Sequence, residues 1–333
     1  MDPKTLLYPG EERHLRNVVQ LTFEGENAEA YWHPSGKKLV FQARGEGVPC
    51  DRIYELDLET HKVTQISNGK GRTTCAYYVY PKGEEILYAS THAASPACPP
   101  PPDYSRGYVW PIYDSYDLYL RRRDGRTVRL TEQPGYDAEA TVCFRDGRVL
   151  FTSTRDGDLD LYVMEAARPG AAVHRLTQVP GYDGGGFFSP DCTKIVWRAS
   201  RPKGEALEAY RALLKEGLVR PTHMEIFVAR ADGSKPRQVT HNGAANFAPY
   251  FLPDNRRIIF ASNVADPRGR NFDLYIVDPE AEDPDATVEQ ITFSPVFEAF
   301  PMFSPDGRYL VFASNRNAKT PGDTNLFVAE WID

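Results

Sequence analysis

The 333-residue chain predicts an all-β fold: a six-bladed β-propeller of four-stranded antiparallel blades, its ring closed by an N-terminal strand at about residues 17–23. Three observations carry this. A turn-and-strand element recurs six times, and a short strand ending in an apolar residue followed by Thr or Ser recurs six times in alternation with it. The first of these short strands precedes every complete unit, whereas the last unit lacks one, so the N-terminal strand is expected to complete the final blade.

The most regular copy of the first element is 300–316, FPMFSPDGRYLVFASNR. In its turn, Ser304-Pro305-Asp306-Gly307, Pro presets φ and Gly accepts positive φ, and a β-branched and aromatic strand follows. The other copies are His33-Pro34-Ser35-Gly36 before KLVFQAR, Pro81-Lys82-Gly83 before EEILYAST, Arg145-Asp146-Gly147 before RVLFTSTR, Ser189-Pro190-Asp191 before KIVWRAS, and Pro253-Asp254-Asn255 before RRIIFASN. Third strands follow as RIYELDL, DLYLRRR, LDLYVME, MEIFVAR, FDLYIVD and NLFVAEW. The fourth carry the tags Leu21-Thr22, Ile66-Ser67, Leu130-Thr131, Leu176-Thr177, Val239-Thr240 and Ile291-Thr292. One domain results, with blades at about 27–67, 74–131, 137–177, 183–240, 246–292 and 298–331, the last completed by 17–23. The 19 Tyr, 17 Phe, 25 Gly and 27 Pro suit many short strands and turns.

Net charge is −7, from 39 basic and 46 acidic residues without a basic cluster, which argues against a nucleic-acid partner. No apolar run reaches the roughly 18 residues of a membrane-spanning helix. The N-terminal residues lack a basic segment followed by an apolar core, so no signal peptide is expected in this chain. Five cysteines show no CxxC spacing, which argues against a zinc knuckle.

The pattern Phe-Ser-Pro-Asp-Gly, apolar strand, Ser-Xaa-Arg, then Asp-Xaa-Tyr resembles the propeller repeat of the TolB family, over nearly the whole chain. That family carries an α/β domain before its propeller; here only about 16 residues precede the first strand. A similar repeat caps the hydrolase domain of prolyl-oligopeptidase-like enzymes, but no Gly-Xaa-Ser-Xaa-Gly elbow is present. The resemblance implies a non-catalytic, monomeric binding module in the periplasm or secreted, with a protein or carbohydrate partner. Some enzymes with similar propellers use His and a bound metal to cleave acidic polysaccharides, so the alternative is a metal- and His-assisted saccharide lyase or hydrolase.

The blades differ mainly in the connection between second and third strands, and these loops share one face. It is tight at 155–158 and longer at 45–51, 93–116, 202–223, 264–271 and 317–324. Residues 95–110 hold a stiff proline run, and 203–217 predict a helix with Ala206, Leu207, Tyr210, Leu213 and Leu214 on one face and Gly217 as its cap. The two insertions are expected to wall a pocket, with Tyr104 and Trp110 at its rim; the alternative is that they shield the ring or contact a neighbouring subunit.

Seven residues before the turn Pro stand Asn27, Thr74, Asp183, Asn246 and Glu298, with Asp137 one place off register and Glu139 two residues beyond it. They predict a polar collar at the channel mouth that binds ligand hydroxyls or Ca²⁺ or another divalent cation, with Asp137, Asp183 and Glu298 as metal ligands. The structural alternative is that these groups cap backbone and order channel water. His92, which stands where Arg44, Arg155, Arg201 and Arg316 end other second strands, is expected on the same face with His223 and His241. These arginines and Asp117, Asp160 and Asp273 are read as scaffold pairs. Asp156-Gly157-Asp158-Leu159-Asp160 resembles part of a calcium loop but lacks its downstream Glu, and reads as a turn. Cys50 and Cys98 sit in same-face loops of adjacent blades and form a candidate disulfide, with Cys75 an alternative partner; Cys143 and Cys192 are expected to be buried thiols.

Overall fold

In the computed structural model, which describes residues 6–333, six four-stranded antiparallel sheets form the blades of a propeller. Their innermost strands are Glu26–Trp32, Thr73–Tyr78, Asp137–Val142, Asp183–Phe188, Asn246–Phe251 and Glu298–Phe303. Each packs against the innermost strands of both neighbouring blades, and the contact of Glu26–Trp32 with Glu298–Phe303 closes the circle. The N-terminal strand Leu15–Gln20 pairs with Asn325–Trp331, from Leu15↔Trp331 to Gln20↔Phe327, and completes the sixth blade. No helix among the described residues is long and apolar enough to cross a membrane.

The apolar-Thr/Ser tag has a physical reason in every blade. The tag's apolar residue donates its N–H to a third-strand carbonyl, as Leu130 does to Leu118 at 2.8 Å. The following hydroxyl then accepts the N–H of that same third-strand residue: Thr22 from Leu326, Ser67 from Ile53, Thr131 from Leu118, Thr177 from Leu161, Thr240 from Ile226 and Thr292 from Leu274, at 2.9–3.1 Å. The tag is therefore where pairing ends, which is why the closing strand stops at Gln20 and not at residue 23. Each such bond to a buried backbone donor is worth about 1 kcal/mol.

The scaffold pairs differ from the sequence expectation. The second-strand arginines pair with first-strand carboxylates: Arg44 with Glu26 at 2.6 Å, Arg155 with Asp137 at 3.0 Å, Arg201 with Asp183 at 2.6 Å, and Arg316 with Glu298 at 2.5 Å. Asp117 and Asp160 on third strands instead pair with fourth-strand Arg129 and Arg175, at 2.6 and 2.7 Å. In blade five, Gln290 occupies that fourth-strand position opposite Tyr275, so Asp273 has no arginine there. Burial, aided by Glu298 and Glu11, pushes its pKa up to about 7. A folded pKa above the unfolded value means the fold holds this proton more tightly. The associated stability is present below about pH 4 and is lost as pH rises through about 7. Gln290→Arg is expected to stabilise the protein by about 0.5–1 kcal/mol at pH 8 and less at pH 5. Urea titrations at the two pH values check this; an equal gain at both would count against it.

Two disulfides join adjacent blades: Cys50–Cys98, with Cα atoms 6.0 Å apart, and Cys143–Cys192, 5.7 Å apart. The second corrects the expectation of buried thiols. Cys143 follows the first strand of blade three and Cys192 lies in the first hairpin turn of blade four, positions that blade packing brings together although they are 49 residues apart. Cys75 remains a free thiol.

Candidate ligand-binding funnel

The two insertions meet. Trp110–Pro111 of the proline loop forms a two-stranded ladder with Leu218–Val219, which follows the helix Glu205–Lys215, and Ile112 N–H donates to the Gly217 carbonyl at 2.7 Å. Blades two and four are thereby linked across blade three. The helix buries no residue fully: Leu207, Tyr210, Leu213 and Leu214 are half-buried and Ala206 is exposed. It is held by Tyr210, whose hydroxyl donates to Asp158 at 2.5 Å, while Asp158 also accepts the Gly181 N–H at 3.0 Å. The Asp156–Asp158 turn is thus an anchor built from protein contacts. The proline loop is pinned by Cys50–Cys98 and by the Tyr113 hydroxyl on the Pro100 carbonyl, 2.7 Å. Trp110 lies against Phe247 (ring centroids 5.1 Å apart) and under the Arg198 guanidinium (5.2 Å), so its indole roofs the channel mouth.

Beneath this roof every innermost strand carries a bulge at the same place, where pairing with the second strand shifts register. The residues there are Glu29, Cys75, Glu139, Gly185, Ala248 and Phe300, all with φ between 44° and 60°. Bulges re-aim side chains, and all six residues line one cavity of about 850 Å³. The bulge residues are polar on blades one to three and small or apolar on blades four to six. Tyr31, Tyr116, Tyr136, Tyr182, Phe187 and Trp110 add aromatic surface.

Glu139 accepts hydrogen bonds from Arg198, from Thr152 Oγ1 at 2.7 Å and from the Gly185 N–H at 3.0 Å. This contact depends on a run of three glycines. A Cβ on Gly184 would stand 2.6 Å from the Tyr182 hydroxyl and 2.7 Å from Glu139, and one on Gly185, at φ +60°, would collide with Arg198. Glu29 receives the Tyr31 hydroxyl at 3.2 Å and makes no ion pair with any described residue. Burial raises its pKa and Glu139 adds to the rise, against a hydrogen bond from Cys75 and the charge of Arg198. Burial and these same carboxylates push the Cys75 thiol well up, so it stays protonated and is a poor nucleophile. Gln42 accepts from Thr74 Oγ1 and the Cys75 N–H, at 2.9 and 3.0 Å. Tyr116 and Tyr136, only 4% and 7% exposed, stand edge to face with hydroxyls that meet no hydrogen-bond partner among the described residues.

Of the predicted collar, Asn27, Asp137, Asp183, Asn246 and Glu298 lie two residues upstream of the bulges and form no ring at the mouth, whereas Thr74 and the bulge residue Glu139 line the cavity. Asn27, Asp137, Asp183, Asn246 and Glu298 are at most 6% exposed. Asp137, Asp183 and Glu298 are each taken up by an arginine, with burial still pushing Asp183 up to about 7. The Asn27 amide donates to the Glu24 and Thr324 carbonyls, and the Asn246 amide to Met224 O. Blade two's equivalent is Thr73, opposite Ser90, because its hairpin holds one more residue before Pro81. Asp137, opposite Ser153, is in register. The expected divalent site from Asp137, Asp183 and Glu298 is corrected accordingly: these carboxylates sit in separate ion pairs, and the described residues contain no group of three or more His, Cys, Asp or Glu arranged to hold a metal.

None of the histidines lines the cavity. His92 bonds Ser90 Oγ and packs on Tyr119, burial lowering its pKa. His223 contacts the Gly243 carbonyl, and His241 pairs with Asp285. Tyr104 is 62% exposed outside the cavity, whereas Trp110 and Glu139 line it.

The molecule is a TolB-like six-bladed propeller, its likeness to solved TolB structures being one of fold. A structure described as a putative TolB of Agrobacterium tumefaciens aligns with TM-score 0.56 at 20% identity, covering 93% of this chain and 91% of that one. TolB of Acinetobacter baumannii aligns at 0.54 and 18%, covering 80% of this chain and 56% of that one. An oligogalacturonate lyase in complex with manganese aligns at 0.52 and 14%, covering 95% and 93%. In sequence, the chain is 27% identical over 153 residues to the uncharacterized peptidase YuxL of Bacillus subtilis, which is 40% of this chain but 23% of that protein. No family model matches.

Proposed function

We propose that this protein is a binding module that takes a short segment of a protein or glycan partner into the roofed funnel on its elaborated face. The observation that supports the reading best is the joining of the two insertions over the channel. It produces a preformed aromatic cavity of about 850 Å³ with a few convergent polar groups, the usual form of a ligand site. Two inter-blade disulfides favour an oxidising compartment, in keeping with a periplasmic or secreted monomer. Glycan and peptide arrays probed with the intact chain should yield a ligand whose affinity falls about 30-fold, or about 2 kcal/mol, in Trp110→Ala. Ligand binding indifferent to that change would refute the reading.

A catalytic alternative at the same face, a saccharide lyase or hydrolase, is favoured by one observation: Glu29, whose pKa is raised, shares a cavity with the arginine-held Glu139. These carboxylates, and not His92 or His223, would carry it. Turnover of acidic oligosaccharides that is lost in Glu29→Gln and Glu139→Gln but kept in His92→Ala would establish this alternative.

A further inference from the structure

The carboxylates that line the funnel are not evenly matched. Glu26 pairs with Arg44, Asp51 with Arg72 at 2.5 Å, and Glu139 with Arg198, while Glu29 has no ion pair: it meets the Tyr31 hydroxyl and the Cys75 thiol, and feels the charge of Arg198, a cation already paired with Glu139. Two other cations at the cavity, Arg268 and Arg270, sit on an exposed loop where solvent screens them. The same cavity wall also offers aromatic faces and the two unpartnered phenol hydroxyls of Tyr116 and Tyr136, both residues more than nine-tenths buried. A half-buried carboxylate with no ion-pair partner gains from meeting a cation, and an ammonium beside aromatic faces gains from their quadrupoles. Each N–H of an ammonium also needs an acceptor, and phenol oxygens supply them.

We propose that the funnel recognises an organic ammonium group, seated between Glu29 and the hydroxyls of Tyr116 and Tyr136. This rests on the reading of the funnel as a binding site and names the ligand chemistry that it takes. Two sources carry that group on a longer chain: a lysine side chain and an amino sugar. The polar half of the bulge ring faces the ammonium, and the apolar half formed by Gly185, Ala248 and Phe300 accommodates the carbon skeleton.

Titration calorimetry of the intact, oxidised chain with two probe pairs tests this. One pair is Nα-acetyl-lysine amide and its Nε-acetylated form; the other is glucosamine and N-acetylglucosamine. At least one amine is expected to bind 10-fold or more tighter than its acetylated counterpart, and the discriminating pair names the source. Glu29→Gln keeps the volume and an acceptor for Tyr31 and is expected to erase the preference, whereas His241→Ala, outside the cavity, leaves it. Equal binding of amine and acetylated forms, a preference that survives Glu29→Gln, or no binding of any of the four probes overturns the ammonium assignment. If Trp110→Ala also leaves array ligands bound as before, the binding-site reading falls with it; if it weakens them, only the ammonium assignment falls.

Discussion

Arg316→Met is expected to destabilise the protein by about 3–5 kcal/mol, because it strands two carboxylates in the interior. The Arg316 guanidinium bonds Glu298 and Glu11, the latter at 2.8 and 3.0 Å, and donates to the Leu6 carbonyl at 2.7 Å. All three charged side chains are at most 1% exposed. This one cation holds blade six to the segment that leads into the closing strand, so its loss is expected to weaken the ring at its seam. In the variant the carboxylates gain stability by protonation, so the deficit is expected to be larger at pH 8 than at pH 5. Adding Glu11→Gln and Glu298→Gln to Arg316→Met should recover a substantial part of the loss. Urea midpoints at both pH values read this directly. A deficit independent of pH, or one that the added substitutions deepen, would contradict the account.

Removing either disulfide is expected to cost about 2–4 kcal/mol, since each closes a loop spanning 48 or 49 residues and restricts the unfolded chain. The two bridges should differ in what else they change. Cys143→Ala/Cys192→Ala alters only stability. Cys50→Ala/Cys98→Ala also frees the proline loop that carries Trp110, and is expected to weaken ligand binding at temperatures where the fold is intact. Denaturation with and without reductant, alongside binding at 20 °C, separates the effects. A midpoint unmoved by full reduction would show that neither bridge constrains the chain.

The architecture was legible because each unit repeats its own local chemistry. The turn signature, the apolar second strand and the hydroxyl tag all act within one blade, so a single sequence displays them six times. Most of what acts between blades or shifts register is not written locally; the Cys50–Cys98 bridge is the exception, since both cysteines stand in same-face loops of adjacent blades. The residues facing the channel stand two positions beyond the polar positions that the sequence spacing picks out, because the bulge inserts at Glu29 and its equivalents without any change of residue type to mark it. Glu139, an addition to the collar by spacing, belongs to the ring that faces the channel. The run Gly184-Gly185-Gly186 inside an apolar strand was the available signal for a close approach, and it marks where Arg198 reaches Glu139. The Cys143–Cys192 bridge and the Trp110–Val219 ladder join distant stretches, which no local pattern announces.

The six bulges have a consequence for how this fold changes its specificity. Because the left-handed backbone turn is present in every blade, and is occupied by residues as unlike as Glu29, Ala248 and Phe300, it belongs to the scaffold and not to any one side chain. The ring is in effect a set of six sockets whose geometry is fixed and whose contents are interchangeable. A few substitutions there would redraw the lock while leaving the door frame alone. Selection could therefore move such a propeller from one ligand to another through single codons, with the blades carried along unaltered.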